Sequence, residues 1–497
     1  MKILVTGGTG VIGAGLIPEL LSRGHAVRLL SRHADEDAAR WNGVEAVAGD
    51  VSTPASLRGA VATCDAVIHI AGIAVEHPPE VTFQSVNVDG TRHLIEEIRE
   101  HSDLRRFVFI SSLGADAGSS DYHRSKREAE GIVRESGLDW TIVRPGSVYG
   151  PGDEVISNVL KMARVLPAVP VIDSGNQEFQ PIWFEDLGAA LARIVERHDL
   201  AGEALDIAGP DLTSLNDLLE KFAEITGRKP LRVPVPMPLA SLAAKLASMA
   251  VEIPLDETKL TMLREKNVLP DSAGRPLESL GIQPTPLDDG LRKLADLLPE
   301  QQPEDGVGPM HHKRVWADIA GSPHSAVALM SIFRDRVTDL MPIEFAAEPG
   351  APTRIEKGVT MTGSLPLRGN FQVRVEVVEP MRVVLATLEG HPLAGIVEFT
   401  TEETAGGVRF AIDVFTRASN LFDLIALSAG GEVAQSANWR TVVQNVIDAS
   451  GGTSDGVHRE TRTLDEEEAE AAEARIQSIV QKRQRDESAS GERPAER

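Results

Sequence analysis

Tyr122 and Lys126 stand four residues apart in Tyr122-His123-Arg124-Ser125-Lys126, so on a helix they share one face, one turn apart. A phenol exchanges protons near neutrality only when its pKa is lowered, and a neighbouring ammonium lowers it. Ser111 and Ser112 close the preceding apolar run Phe107-Val108-Phe109-Ile110, where either could turn a hydroxyl toward a substrate oxygen. Hydroxyl, phenol and ammonium together suit proton transfer to or from an alcohol or carbonyl. A surface Tyr and Lys in a charged helix would leave the same letters.

A second group of residues lies at the start of the chain, in Thr6-Gly7-Gly8-Thr9-Gly10-Val11-Ile12-Gly13. Here Gly7 allows a tight turn, Gly10 lets backbone approach a pyrophosphate, and Gly13 is expected to let a helix pack closely on a strand. The amides around Thr9, Gly10, Val11 and Ile12 would then face phosphates from a helix N-terminus. The glycines follow one apolar strand pattern and open a helical one, the context a dinucleotide-binding turn requires. Next, Ser31-Arg32 ends the second strand pattern, where an NAD-binding chain places an acid; an arginine there accommodates an extra phosphate and favours NADP(H) over NAD(H). Asp50, beside Val51 after the third strand, either accepts from the adenine amine or caps a turn. Lys126 could also hold the nicotinamide ribose.

The elements that must position these groups alternate. Strand patterns fall at 2–6, 26–31, 44–47, 66–71, 106–111 and 140–144, with helical ones at 13–23, 54–63, 82–101 and 124–136. Strands separated by single helices imply right-handed crossovers and a doubly wound, Rossmann-type parallel sheet. The continuous apolar runs AVIHIAG and FVFIS fit strands buried on both faces. From about residue 150 the rhythm changes to short strands and helices near 214–226 and 239–250. This is the signature of a small substrate lobe over residues 150–300 within an NAD(P)-binding domain of 1–300.

Residues 298–312, LPEQQPEDGVGPMHH, read as a linker. Beyond it, residues 313–451 are expected to form a separate α+β domain: a helical region at 326–340, alternating strands at 371–377, 381–388, 396–400 and 408–415, and a helix at 438–449. In the first strand Phe371, Val373, Val375 and Val377 should face a core, while Gln372, Arg374 and Glu376 face solvent. Residues 452–497 have few large apolar side chains and read as a charged, largely disordered tail, with at most a lone helix at 465–484.

Composition narrows the classes. The 497 residues carry a formal charge of −24, which disfavours nucleic acid and anionic membranes as partners. A lone cysteine, Cys64, fits a reducing cytoplasm, and the N-terminus reaches its glycines too soon for a signal peptide. The stretch 233–254 is too interrupted by proline and charge to span a bilayer, though an amphipathic helix there leaves room for peripheral membrane contact. No zinc-spaced cluster appears; His311-His312, His324 and His391 read as linker, helix-start and loop residues.

The combination TGGTGVIG, SSLG, YHRSK, RPGSVYGPGD and PIWFEDLGAAL resembles the short-chain dehydrogenase/reductase superfamily over residues 1–300. The short gap from Ser112 to Tyr122 is similar to its atypical branch, which includes the NADPH-binding accessory subunit of respiratory complex I. The resemblance implies that Ser112, Tyr122 and Lys126 match the family's catalytic serine, tyrosine and lysine. It further implies that Pro145 and Val148 flank the nicotinamide, that Ala71 and Gly72 line the cofactor cleft, and that Asn87 matches a helix asparagine of related enzymes. LATLEGHP, GIVEF and FTR, beginning at Leu385, Gly395 and Phe415, resemble a bacterial and plant domain of no assigned activity, related to helix-grip, ligand-cavity folds. The leading expectation is an NADP(H)-dependent oxidoreductase acting on a small hydroxyl or carbonyl compound. A sugar-nucleotide-type epimerase or dehydratase uses the same hydride step; a non-catalytic NADPH sensor or assembly scaffold is the alternative of another class. A third idea makes the C-terminal domain a carrier of a hydrophobic ligand. Oligomeric state is not legible.

Overall fold

The computed structural model describes residues 1–38, 40–101, 103–236, 267–270, 274–365, 369–420, 423–424 and 432–490. The chain divides into two units. The first comprises Met1–Val159, Ala168–Lys221 and Leu231–Leu294; the second takes Leu160–Pro167, Phe222–Pro230 and Ala295–Arg497.

In the first unit, strands β1 (Lys2–Thr6), β2 (Ala26–Ser31), β3 (Glu45–Ala48), β4 (Ala66–His69), β5 (Arg106–Ile110) and β6 (Asp139–Pro145) join β10 (Glu203–Ile207) in a parallel sheet. Its order is β10-β6-β5-β4-β1-β2-β3. The strand sequence reverses between β1 and β4, which opens a crevice at the carboxyl ends of the strands. The central strands are buried on both faces, as their continuous apolar runs require. Helices α1 (Val11–Ser22), α2 (Ala34–Ala38), α3 (Gly90–His101), α4 (Asp121–Arg134) and α6 (Phe184–Glu196) belong to this unit, while α5 (Ile156–Val165) and α7 (Leu215–Thr226) each begin in it and end in the second. Helices α1 and α6 meet where Gly15 faces Gly188; a Cβ on either residue would overlap backbone of the other helix. Short strands β7 (Val148–Tyr149) and β9 (Ile182–Trp183) pair, as do β8 (Ala168–Ile172) and β11 (Leu231–Val235). Helices α8 (Pro276–Ser279) and α9 (Leu287–Asp296) follow.

Two expected helices differ. The pattern at 54–63 yields only a 3-10 turn, Pro54–Leu57, because Gly59 and Thr63 adopt left-handed backbone with φ +76° and +63°. The helix expected at 82–101 begins as a π segment, Gln84–Asp89, before α3. The expected helix at 239–250 and nearly all of the stretch 233–254 lie outside the described residues. Among the described residues no helix is long and apolar enough to cross a membrane.

The second unit is an antiparallel sheet of eight strands: β12 (Val307–Ala320), β13 (Glu344–Phe345), β14 (Thr360–Leu365), β15 (Gly369–Glu379), β16 (Arg382–Thr387), β17 (Leu393–Thr404), β18 (Gly407–Ala418) and β19 (His458–Thr463), ordered β13-β14-β15-β16-β17-β18-β12-β19. Helices α10 (Ala326–Asp335), α11 (Val337–Leu340) and α12 (Glu432–Ser450) contribute Leu329, Phe333, Val337, Leu340, Val442 and Val446 to a core shared with Phe399 and Phe410 of the sheet. The separate α+β unit is as expected, but three sequence expectations are corrected. Much of the expected linker is ordered: Leu298 and Glu300 are buried, and β12 begins at Val307 and pairs on both sides. The expected disordered tail supplies β19 and helix α13 (Glu466–Ser490), which buries Ile476, Val480 and Arg483. The polar face of β15 is not solvated either. Gln372, Arg374 and Glu376 are buried because Arg164 meets Gln372, Glu300 meets Arg374 and Arg483 meets Glu376. A buried charge survives only when paired, and these pairs are what the alternation could not show.

The histidines of the expected linker lie in β12, where His312 bonds Asp413 at 2.8 Å and stacks on Phe415. The described residues contain no cluster of three or more His, Cys, Asp or Glu able to hold a metal.

Candidate functional site

The turn between β1 and α1 has the shape of a phosphate cradle. Gly7 adopts φ +69°, and a Cβ on it would lie 2.6 Å from the Ala71 amide, so this crossing of chains needs glycine. Gly10 is exposed and has open space on its Cβ side, with nothing nearer than the Gly7 carbonyl at 3.7 Å. Gly13 acts otherwise than expected: its missing side chain makes room for the Gly8 backbone inside the turn, and the close packing on β1 and β2 falls to Gly8, beside Val5 and Leu29. Helix α1 has no side-chain N-cap and no acidic residue in its first turn, whereas α4 and α6 both begin with acids. Amides left uncapped beside Thr9, Val11 and Ile12, with no carboxylate to repel an anion, fit the diphosphate of a dinucleotide.

Behind this turn lies His69, fully buried at the end of β4. Thr91 Oγ1 donates to the Asn87 carbonyl at 2.7 Å, so it must accept from His69 Nε2 at 3.1 Å. His69 Nδ1 then accepts from Thr6 Oγ1 at 2.6 Å, and that oxygen accepts from the Ala71 amide at 3.3 Å. Burial, reinforced by the charge of Lys126, pushes the imidazole down to about 3, so it is neutral. One histidine thus joins the glycine turn to Ala71 and to the helix carrying Asn87.

Helix α4 begins with an acid and with Ser120 as N-cap, its hydroxyl accepting from the His123 amide. It carries Tyr122 half-buried and Lys126 buried. The two serines separate: Ser111 Oγ donates to Glu130 Oε1 at 2.6 Å, whereas Ser112, with its Oγ 3.5 Å from the Leu113 carbonyl, is the one that acts on the Tyr122 phenol. Lys126 Nζ donates to the Ile110 carbonyl at 3.0 Å and lies over the Phe109 ring. A Cβ on Gly72 would come within 2.9 Å of that Nζ, so Gly72 is what lets the ammonium approach the loop after β4. Asn87 accepts from the Ile73 amide at 2.8 Å and donates to Ser125 at 3.0 Å, tying the π segment to α4. Burial lowers Lys126 to about 8, with Glu130 opposing the shift. The expected lowering of the phenol is corrected: burial pushes Tyr122 above its ordinary value, and the Ser112 hydrogen bond only partly offsets this.

The end of β2 is also more particular than its letters. Arg32 is exposed, but Ser31 Oγ donates to Asp37 and accepts from the His33 amide, so its hydroxyl is already engaged. Asp50 caps its turn, Oδ1 accepting from the Ser52 amide at 2.8 Å and the Ser52 hydroxyl at 2.7 Å; Val51 is buried. Pro145 ends β6, its carbonyl accepting from the Leu113 amide at 2.8 Å, and Val148 opens β7. Sequence reading missed His69, Glu130 and Arg144. Only Glu130 left a usable signal, since Tyr122, Lys126 and Glu130 repeat at the spacing of one helix face.

Residues 7–159 match the family model described as NAD(P)H-binding. Among characterised relatives, ceramide reductase of Caulobacter vibrioides is 32% identical over 48% of this chain and 74% of its own length. Sterol demethylase protein B of Methylococcus capsulatus is 31% identical over 48% of this chain and 78% of its own. NADH dehydrogenase [ubiquinone] 1 alpha subcomplex subunit 9 of Arabidopsis thaliana is 27% identical, over 53% and 68%. Each match spans about half of this chain. With a glycine cradle, a doubly wound sheet and the Ser112–Tyr122–Lys126 group in place, the chain belongs to the NAD(P)-binding short-chain dehydrogenase/reductase family of the epimerase/dehydratase type.

Proposed function

We propose that this protein is an NADP(H)-dependent oxidoreductase that interconverts a hydroxyl and a carbonyl on a small, largely apolar molecule. The observation that carries the reading is the placement of Tyr122 and buried Lys126 one turn apart on α4, with the Lys126 ammonium on the Ile110 carbonyl at the strand end that leads to Ser112. When bound, the nicotinamide supplies or accepts the hydride. Tyr122 gives its phenolic proton to the forming alkoxide or takes it back, and Ser112 holds the same oxygen. Lys126 supports the phenol and holds the nicotinamide ribose. A phenol raised by burial carries its proton throughout the neutral range, which suits it to the reductive direction. The names of two relatives, a ceramide reductase and a sterol demethylase protein, support an apolar substrate. A screen of lipid and sterol ketones and alcohols, followed by nicotinamide absorbance, tests the activity: turnover of one supports it, and none with any carbonyl or alcohol overturns it.

NADP(H) rests on Arg32. With Ser31 held by Asp37, the exposed guanidinium is the group at the end of β2 left for a ribose phosphate. Arg32→Asp is expected to lose about 1.5–3 kcal/mol of NADPH affinity, the worth of a charged hydrogen bond, and to leave NADH binding little changed. Calorimetric titration of both cofactors checks this; equal affinities in the parent protein would remove the NADP assignment. The single cysteine supports a cytoplasmic setting, and the charge of −24 supports a small-molecule substrate over nucleic acid.

The likeness to an NADH dehydrogenase subunit favours a second reading, in which the nucleotide is held without turnover as part of an assembly. Bound NADPH that survives long incubation unoxidised, with no substrate found, would select it.

A further inference from the structure

We propose that Glu130 is a positioning residue for the proton-transfer group: by bridging Ser111, just past β5, and Arg144 of β6 it leaves Ser112 to the substrate oxygen and holds a negative charge one helical turn beyond Lys126. The inference rests on the proposed roles of Ser112, Tyr122 and Lys126.

Glu130 is fully buried on α4. Its Oε1 accepts from Ser111 Oγ at 2.6 Å and from Arg144 Nε at 2.7 Å; its Oε2 accepts from a second Arg144 nitrogen and from Arg134, both at 2.7 Å. Arg144 reaches on to Asp116 at 3.1 Å, in the loop between Ser112 and Tyr122, and lies 3.7 Å from Asp206 of β10. One carboxylate and one guanidinium therefore fasten the strand end bearing the serines, the loop leading to Tyr122 and the helix bearing Lys126. A carboxylate buried this deeply stays ionised only through such partners, and the arginines hold Glu130 below its ordinary value despite its burial.

The consequence falls on Lys126, where burial disfavours the ammonium and Glu130 favours it. Neutral His69 on β4 feels the charge of Lys126, and Tyr122 shares its helix face; Arg134 on α4, Arg144 on β6, Asp206 on β10 and Asp116 in the loop belong to the network around Glu130. The charge of Glu130 is the one that offsets the burial of Lys126.

The test is a direct titration of Lys126 in cofactor-free protein labelled with ε-13C lysine. Its resonance is identified by its loss in Lys126→Arg and followed from about pH 6 to about pH 10. The parent midpoint is expected near 8. In Glu130→Gln it should fall by about one pH unit, and in Glu130→Asp, which keeps the carboxylate, it should return toward the parent. Arg134→Gln alters a partly exposed partner and so keeps the fold; by unmasking Glu130 it should raise the midpoint by a few tenths of a pH unit. An unchanged midpoint in folded Glu130→Gln overturns the proposal. So does an unchanged or lowered midpoint in Arg134→Gln, should the first variant not fold. The readout needs neither turnover nor bound nucleotide: a Lys126 shift alongside a dead substrate screen would fault the catalytic reading and leave the Glu130 assignment standing.

Discussion

Tyr122→Phe is expected to lower turnover by about 10² or more while leaving NADPH affinity nearly unchanged. The phenylalanine ring keeps the packing against Phe83 and His123, and Lys126 keeps its bond to the Ile110 carbonyl; only the proton and the Ser112 contact are lost. Lys126→Met should impair both, since it removes the ribose contact and leaves the Ile110 carbonyl without its side-chain donor. The diagnostic result is this contrast, read from stopped-flow turnover and from fluorescence titration of bound nucleotide. A Tyr122→Phe protein as active as its parent would remove the phenol from the chemistry.

The second large effect is on stability in acid. His69 titrates near 3 in the folded protein and near 6.5 when unfolded, so below pH 6.5 the unfolded chain binds a proton that the folded one refuses. Its contribution is fully present above pH 6.5 and is lost as pH falls toward 3. At about 1.4 kcal/mol per pH unit, that is roughly 2 kcal/mol by pH 5, and on the order of 4–5 kcal/mol over the full window. His69→Gln cannot take up this proton, although it loses stability at every pH by disturbing Thr6 and Thr91. Urea unfolding at pH 7 and pH 5 should therefore show a smaller pH dependence in the variant by about 2 kcal/mol. Equal pH dependences in the two proteins would mean that His69 is charged when folded.

The first half was legible because its signals are local. Strands β1 and β2 begin and end where their apolar runs do, and the glycine turn sits between a strand and a helix as its spacing demanded. The pairing of Tyr122 with Lys126 follows from helix pitch alone. Local pattern also fixed the class of the second unit, since period-two alternation in β15 and β18 leaves little choice but a sheet.

What the sequence could not determine depends on residues far apart in the chain. Which of two adjacent serines faces Tyr122 was decided by Glu130, nineteen residues beyond Ser111, and by Arg144 on the next strand. Whether the phenol rises or falls was decided by burial, which spacing does not encode. The polar face of β15 and the charged C-terminal segment looked solvated, yet Arg483 reaches Glu376 and Glu300 across more than a hundred residues. Helix and strand periods report which side of an element is apolar. They do not report whether a polar side finds partners in the folded chain, and only tertiary packing supplies those partners, because a buried charge is tolerable solely where distant segments bring its counter-charge.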